Sequence, residues 1–136
     1  MVCIHCGNST RVINSRLQKR YNHVWRRRQC QNCRLIVSTE EVIRYENVWL
    51  VVEPSGSHSP FSSTKLLISL LRSCEHRKTA LKDAEALTDT VIQKLQSKCR
   101  DGLINSQTIV QISQVALNRF DRAASVHYAA NHSSDR

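Results

Sequence analysis

Long apolar runs are absent from this 136-residue chain, and no stretch approaches the ~18 residues that a membrane-spanning helix needs. The N-terminus, which begins Met1-Val2-Cys3, also lacks the ordered charged, apolar and small-residue regions of a secretory signal. We therefore expect a cytoplasmic protein with no membrane partner. In that reducing compartment clustered cysteines indicate metal ligands, and a disulfide-stapled secreted domain is the competing interpretation.

Catalytic motifs are absent as well. The sequence contains no Walker-type phosphate loop, and no Ser-His-Asp, Cys-His or paired-carboxylate arrangement stands out. Internal repeats and low-complexity tracts are also missing. We therefore predict that the chain is not an enzyme.

Acidic residues are scarce, since 11 Asp and Glu stand against 20 Lys and Arg, which gives a formal net charge of +9. Such a balance favours polyanions as partners, namely nucleic acid, nucleotides or an anionic membrane face. Charge alone leaves open the alternative of a soluble basic protein with no such partner.

Four of the six cysteines form two matched C-x-x-C pairs, separated by 23 residues. Two such pairs place four thiolates within reach of one ion, as in a zinc ribbon. The predicted ligands of one structural Zn²⁺ per chain are Cys3, Cys6, Cys30 and Cys33. Because four ligands saturate tetrahedral zinc, no position remains to activate water. His5 is expected to point outward, with ligation as the alternative, and Cys74 and Cys99 are expected to be small buried side chains.

Three consecutive arginines, Arg26 to Arg28, precede the second cysteine pair. In a strand, Arg26 and Arg28 share one face, and Arg27 shares the other with Trp25. The guanidinium fork suits bidentate contact with phosphate or guanine, so we predict that these arginines bind nucleic acid. A solvated charged strand is the alternative. The predicted surface is extended by Arg11, Arg16, Lys19 and Arg20.

The pattern of elements predicts an α+β fold in two modules. Residues 1–40 are predicted to form a zinc ribbon with short strands, whose few apolar side chains require the metal for folding. A connector over 41–47 leads to a second module over 48–130, and the polar residues 131–136 form a tail.

The second module is predicted to pack one hairpin against three or four helices. Val48–Val52 is an apolar strand that stops at a Pro-Ser-Gly turn. Helix N-caps are expected at Ser62 or Ser63, and at Asn105 or Ser106. The apolar spacing predicts helices over 65–74, 80–99, 106–120 and 122–130.

The start of the second module also suggests a phosphate pocket. The apolar strand, the turn and a lysine at a helix start can surround an anion, which a helix N-terminus and a lysine both favour. The residues Val51, Val52, Gly56 and Lys65 are therefore a candidate phosphate site. On composition alone, an ordinary surface position for Lys65 is the favoured interpretation.

Several motifs together resemble those of the bacterial NrdR family, repressors of ribonucleotide reductase genes. They are C-x-x-C-G at Cys3–Gly7, T-R-V-I-N-S-R at Thr10–Arg16 and R-R-R-Q-C-x-x-C at Arg26–Cys33. The second half is similar to an ATP-cone domain, with P-F-x-x-x-K-L at Pro60–Leu66. The resemblance covers nearly the whole chain and is most specific over residues 1–41.

The resemblance implies a zinc ribbon that contacts double-stranded operator DNA, and a cone that binds ATP or dATP as regulatory ligands. The nucleotide-binding residues that it implies are Val51, Val52, Gly56 and Lys65. The bound nucleotide would set how the protein self-associates into homo-oligomers, and the oligomer would set the DNA affinity. The resemblance also implies a bacterial cytoplasmic protein associated with the nucleoid.

Three departures from the family pattern bear on nucleotide binding. Glu53 stands where the family has a basic residue before the cone turn, and a carboxylate repels a triphosphate that a lysine attracts. Ser125 and His127 stand where the family has a tyrosine and an arginine. The alternative function is therefore a DNA-binding or scaffold module whose cone has lost nucleotide sensing.

Overall fold

The computed structural model describes residues 1–133 of the chain. The chain divides into two compact units, one spanning Met1–Ile43 and one that begins at Arg44. The first unit is a small sheet, and the second combines a mixed sheet with helices. The predicted α+β class is therefore confirmed.

The first unit is a three-stranded antiparallel sheet, formed by β1 (Thr10–Gln18), β2 (His23–Cys30) and β3 (Ile36–Glu41). The middle strand of the sheet is β2. Among the apolar residues of this unit, only Cys3 and Cys30 are buried. Because the sheet has no apolar core of its own, its fold depends on what joins the cysteines.

The second unit contains a sheet with one more strand than the predicted hairpin. β4 (Leu50–Val52) lies between β5 (His58–Pro60), to which it is antiparallel, and β6 (Leu103–Asn105), to which it is parallel. The sequence does not reveal β6, because three residues between a turn and a helix cap are too few to show alternation. The hairpin is therefore part of a mixed three-stranded sheet.

The predicted strand Val48–Val52 begins only at Leu50, because a 3₁₀ turn over Tyr45–Asn47 holds the residues before it. The backbone N–H groups of Val48 and Trp49 both donate to the Tyr45 carbonyl, at 3.0 and 2.7 Å. These two donors are thus used by the turn and not by a β-ladder.

The helices follow the predicted order as α1 (Ser63–Ser73), α2 (Ala80–Gln96), α3 (Ser106–Phe120) and α4 (Arg122–His132). The caps at Ser62 and Asn105 are confirmed, since their side chains accept the N–H groups of Lys65 at 3.1 Å and Gln107 at 2.8 Å. α4 runs two residues past its predicted end, so the first two residues of the predicted tail are helical. Residues 134–136 of that tail lie outside the described residues.

The helices bury their periodic apolar positions in one core. The predicted positions of α2 are all buried, namely Ala84, Leu87, Val91 and Leu95. They belong to the same cluster as Leu70 of α1, Leu117 of α3 and Tyr128 of α4. Complete burial of a side chain such as Leu70 contributes about 2 kcal/mol to folding. In the part of the chain that the structure describes, each helix is too short or too polar to cross a membrane.

Candidate functional site

The two cysteine pairs lie in matching loops. The second cysteine of each pair is followed by a residue with left-handed backbone, Gly7 at φ 72° and Arg34 at φ 63°. The first cysteine of each pair donates its backbone N–H to the carbonyl five residues later, at 2.8 Å for Cys3 and 2.9 Å for Cys30. The left-handed residue permits this sharp reversal of the chain.

The four sulfur atoms form one cluster. Cys3 Sγ lies 3.6 Å from Cys33 Sγ, and Cys6 Sγ lies 3.5 Å from Cys30 Sγ. All four sulfur atoms lie within 4.8 Å of one another. A tetrahedral zinc ion with Zn–S bonds of about 2.3 Å separates its sulfur ligands by about 3.8 Å. The donor set and its spacing therefore fit one zinc ion in a closed, four-thiolate site.

Nearby N–H groups favour the thiolate form at two of the four cysteines. The His5 backbone N–H, 3.4 Å from Cys3 Sγ, lowers the pKa of the Cys3 thiol. The Asn8 side-chain amide, 3.4 Å from Cys6 Sγ, lowers the pKa of the Cys6 thiol to about 5. The Leu35 N–H also lowers the pKa of Cys33, but burial and the other thiols raise it to about 12. Thiolates are the form that binds zinc.

Of the remaining cysteines, Cys74 is completely buried as predicted, and His5 is exposed. Cys99 is only partly buried, because α2 ends at Gln96 and leaves Cys99 in the turn that follows, where it packs against the core of the second unit. Within residues 1–133, no other group of three or more His, Cys, Asp or Glu side chains is arranged to hold a metal ion. The structure therefore offers one candidate metal centre in this range.

The strand register distributes the five predicted DNA-binding arginines over both faces of the ribbon sheet. In the β1–β2 ladder, Trp25 is paired with Arg16, Arg27 with Asn14, and Gln29 with Arg11. Paired side chains project to the same side of a sheet. One face, which we call the arginine face, therefore carries Arg11, Arg16, Arg27 and Trp25. Arg26 and Arg28 lie on the opposite face, as the alternation predicts.

Exposure and contacts distinguish the two sets of arginines. Arg11, Arg16 and Arg27 are exposed, whereas Arg26 and Arg28 are partly buried. Arg26 forms a 3.1 Å salt bridge with Glu41. The Nε atom of Arg28 is buried and has no hydrogen-bond partner among the described residues. The three arginines that are free to meet a flat polyanion are thus those of the arginine face.

The predicted nucleotide-binding residues are only partly brought together in the second unit. A cavity of about 280 Å³, which we call the inner cavity, lies between the β4–β5 hairpin, α1, α3 and α4. Val51 and Lys65 line it, and Val52 and Gly56 do not. Phe61 and Tyr128 contribute aromatic walls, and Glu53 contributes a carboxylate.

A second space, which sequence reasoning missed, adjoins the inner cavity. This outer cleft, of about 540 Å³, is lined by residues of α1 and α4, namely Lys65, Ile68, Ser69, Arg72, Asn131 and His132. It shares Lys65, Ser69 and His132 with the inner cavity. The sequence analysis ended the last helix at Ala130 and assigned Asn131 and His132 to the polar tail. Because these two residues form the second wall of the cleft, the cleft was not predicted.

Comparisons with known proteins agree with both units. Residues 1–41 match a family model described as the transcriptional repressor NrdR-like, N-terminal domain, and residues 50–134 match the ATP cone domain. The transcriptional repressor NrdR of Syntrophotalea carbinolica is 33% identical over 131 residues, which cover 96% of this chain and 82% of the relative. That of Geobacillus kaustophilus is 32% identical over 131 residues, covering 96% and 84%. The chain belongs to the NrdR family.

Membership of the NrdR family confirms the resemblance found in the sequence and gives the two units their names. The first is the NrdR-type zinc ribbon, and the second is the ATP cone. The relatives are named as transcriptional repressors, which is a regulatory role.

The three departures from the NrdR pattern differ in where they lie. Glu53 lines the inner cavity, whereas Ser125 and His127 line neither that cavity nor the outer cleft. Ser125 is buried, and its carbonyl oxygen accepts the Gln114 side-chain amide at 2.9 Å. The imidazole of His127 stacks on that of His76, with a centroid distance of 6.2 Å. Of the three, Glu53 alone changes the charge that a ligand meets in these two spaces.

Proposed function

We propose that the chain is a zinc-dependent, DNA-binding transcriptional repressor of ribonucleotide reductase genes that acts at the nucleoid in the bacterial cytoplasm. It would catalyse no reaction. The names of the relatives and the two matched domains support this proposal.

The four-cysteine cluster would hold one structural Zn²⁺ per chain through Cys3, Cys6, Cys30 and Cys33. When bound, the ion supplies the cross-link that a sheet without an apolar core needs. The closed set of four thiolates supports a structural role, because it leaves no position for a water molecule.

Operator DNA would bind on the arginine face. The observation that carries this proposal is that Arg11, Arg16 and Arg27 are exposed on one side of a sheet with both cysteine loops at one end. Guanidinium groups can bind phosphates or guanine edges bidentately. Arg26 and Arg28 would support the sheet rather than contact DNA, which refines the expectation that all three consecutive arginines bind together.

DNA binding by zinc-loaded protein tests this function directly. A labelled duplex from a ribonucleotide reductase promoter should be bound more tightly than a duplex of scrambled sequence in fluorescence anisotropy. Removal of zinc with a chelator should abolish that preference, and added Zn²⁺ should restore it. Equal affinity for both duplexes in zinc-loaded protein would argue against a repressor.

The ATP cone would bind ATP or dATP in the inner cavity, and the bound nucleotide would change the homo-oligomeric state and so the DNA affinity. Val51 and Lys65 support this site because they line the cavity together with aromatic walls. Titration calorimetry with each nucleotide, followed by sizing of the complexes by light scattering, tests the proposal. A single particle size in all nucleotide states would contradict regulation by assembly.

The second candidate function is a DNA-binding or scaffold module whose cone no longer senses nucleotides. Glu53 favours it, because this carboxylate lines the inner cavity and opposes a triphosphate. The same titration separates the two candidates, since the second predicts no heat with either ATP or dATP in folded, zinc-loaded protein.

A further inference from the structure

We propose that the outer cleft holds the phosphates of the cone's ligand, with Lys65 and Arg72 as the phosphate contacts, while the inner cavity takes the base and sugar. This inference rests on the proposed binding of nucleotides to the ATP cone. In this arrangement the phosphates lie along α1, away from the turn that contains Gly56.

The inner cavity and the outer cleft differ in the charged side chains that line them. The inner cavity combines the carboxylate of Glu53 with the ammonium of Lys65. The outer cleft combines Lys65 with Arg72, and no carboxylate is found among the described residues that line it. A polyphosphate is repelled by the carboxylate and attracted by the two cations, so its favourable path leads outward.

Size and surface chemistry assign the base to the inner cavity. Its volume of about 280 Å³ is at the lower end of the roughly 300–1,000 Å³ of small-molecule sites. Phe61, Ile109 and Val110 give it apolar walls that suit a flat aromatic base. This space has little room for three phosphates in addition, whereas the adjoining outer cleft has about 540 Å³.

His132 forms the wall that the two spaces share. Its Nδ1 lies 2.9 Å from the Tyr128 carbonyl, and its Nε2 lies 3.2 Å from Ser69 Oγ. Because a carbonyl only accepts, Nδ1 carries the hydrogen. The ring also stacks on Tyr128 with a centroid distance of 4.0 Å. These contacts fix α4 against α1 and hold the boundary of the cleft in place.

The spacing of the two cations suits a chain of phosphates. Lys65 and Arg72 are seven residues apart on α1, which places them on one face of the helix with roughly 10 Å of axial rise between them. A monophosphate that leaves the inner cavity meets Lys65 first, and a triphosphate can extend to Arg72. The contribution of Arg72 should therefore grow with the number of phosphates.

Calorimetric titration of full-length, zinc-loaded protein with ATP, AMP and inorganic tripolyphosphate tests this assignment. Arg72→Ala should weaken binding of ATP and of tripolyphosphate about tenfold, the effect expected of one charged hydrogen bond, and leave the AMP affinity unchanged. Lys78→Ala is the matched control, because Lys78 is exposed in the loop after α1 and lines neither space. It should leave all three affinities unchanged.

The possible results separate this inference from the function on which it rests. If the wild type binds ATP and Arg72→Ala binds it equally well, the phosphate path is wrong and nucleotide binding stands. If the wild type binds tripolyphosphate through Arg72 but binds neither ATP nor AMP, the phosphate cleft is supported and nucleotide binding is contradicted. If none of the probes binds the wild type, both the phosphate path and nucleotide binding by the cone are overturned. Unchanged thermal unfolding of Arg72→Ala confirms that the exposed substitution has not altered the fold.

Discussion

Arg77 and Asp121 join two corners of the ATP cone that are distant in sequence. Nη1 of Arg77 donates to Oδ2 of Asp121 at 2.9 Å, and Oδ1 of the same carboxylate accepts the N–H groups of Ala123 and Ala124. Arg77 Nε also donates to Asp83 at 2.8 Å. One aspartate therefore caps α4 and fastens it to the loop between α1 and α2, which places α4 where it can close the outer cleft.

We expect Asp121→Ala to lower the Tm of the cone by several degrees and Asp121→Asn to lower it less. Asparagine keeps a side-chain oxygen for the helix cap but loses the charge that faces Arg77, whereas alanine loses both. Thermal unfolding followed by circular dichroism measures the difference. Glu85→Gln, which neutralises an exposed carboxylate of α2, is the control and should leave Tm unchanged. Equal Tm values for all these variants and the wild type would contradict the role of Asp121.

The same network predicts a loss of stability in acid. The His76 hydrogen bond, the Ala124 N–H and Arg77 hold the pKa of Asp121 well below its usual range. The Thr79 hydroxyl and then Arg77 lower the pKa of Asp83. A carboxylate with a depressed pKa in the folded state stabilises the fold fully above its unfolded pKa, near 4, and this contribution is lost as pH falls through the folded pKa.

Asp121→Asn isolates this effect, because its side chain does not titrate. The difference in unfolding free energy between the wild type and Asp121→Asn should shrink as pH falls from about 5 to below about 4. Urea denaturation at a series of pH values measures it, and contributions from the ribbon cancel in the difference. A difference that stays constant in acid would show that the carboxylate is not engaged as described.

Two glycines of the cone have left-handed backbone but differ in their surroundings. A Cβ atom at Gly56 (φ 84°) would have nothing within 4 Å, and at Gly102 (φ 76°) it would lie 2.9 Å from the Val48 carbonyl oxygen. Gly56→Ala should lower the unfolding free energy by about 1 kcal/mol through backbone strain alone. Gly102→Ala should cost more, because the Val48 carbonyl is backbone and cannot rotate away. Similar losses in urea denaturation would disprove the steric distinction.

The cysteine cluster and the helices of the cone were predictable from local patterns. Each C-x-x-C pair brings its own turn, so the metal centre needs only that the two loops meet. α2 shows apolar residues at every turn, and these are the residues that the core buries. In both cases short-range spacing determines the long-range contact.

The arginine face was not predictable in the same way. Arg11 and Arg16 are five residues apart and would lie on opposite faces of a regular strand. A register shift between Val12 and Asn14 makes Ile13 an extra residue and brings both arginines to the same face. No glycine or proline marks this bulge in the sequence. The outer cleft was missed for a related reason, because the last turn of α4 is held by tertiary contacts of His132 rather than by an apolar pattern.

Zinc retention should distinguish the clustered cysteines from the others. The wild type should contain about one zinc ion per chain, whereas Cys30→Ser should lose the metal and unfold the ribbon, because metal binding and folding are coupled there. Cys99→Ser should keep the metal, since Cys99 packs in the cone. Elemental analysis reports the zinc content, and tryptophan fluorescence in a Trp49→Phe background, in which Trp25 is the only tryptophan, reports unfolding of the ribbon. Full zinc content in Cys30→Ser would mean that the cluster is not the metal site.

The salt dependence of operator binding tests the arginine face most directly. An Arg11→Ala, Arg16→Ala and Arg27→Ala triple variant should flatten the slope of log affinity against log salt by roughly 0.9 for each DNA phosphate that the variant no longer neutralises. An Arg26→Ala and Arg28→Ala double variant, matched in chemistry but on the opposite face, should keep the wild-type slope. Both variants must retain zinc for the comparison to be valid. An unchanged slope in the triple variant, with a flattened slope in the double variant, would contradict the proposed DNA-binding face.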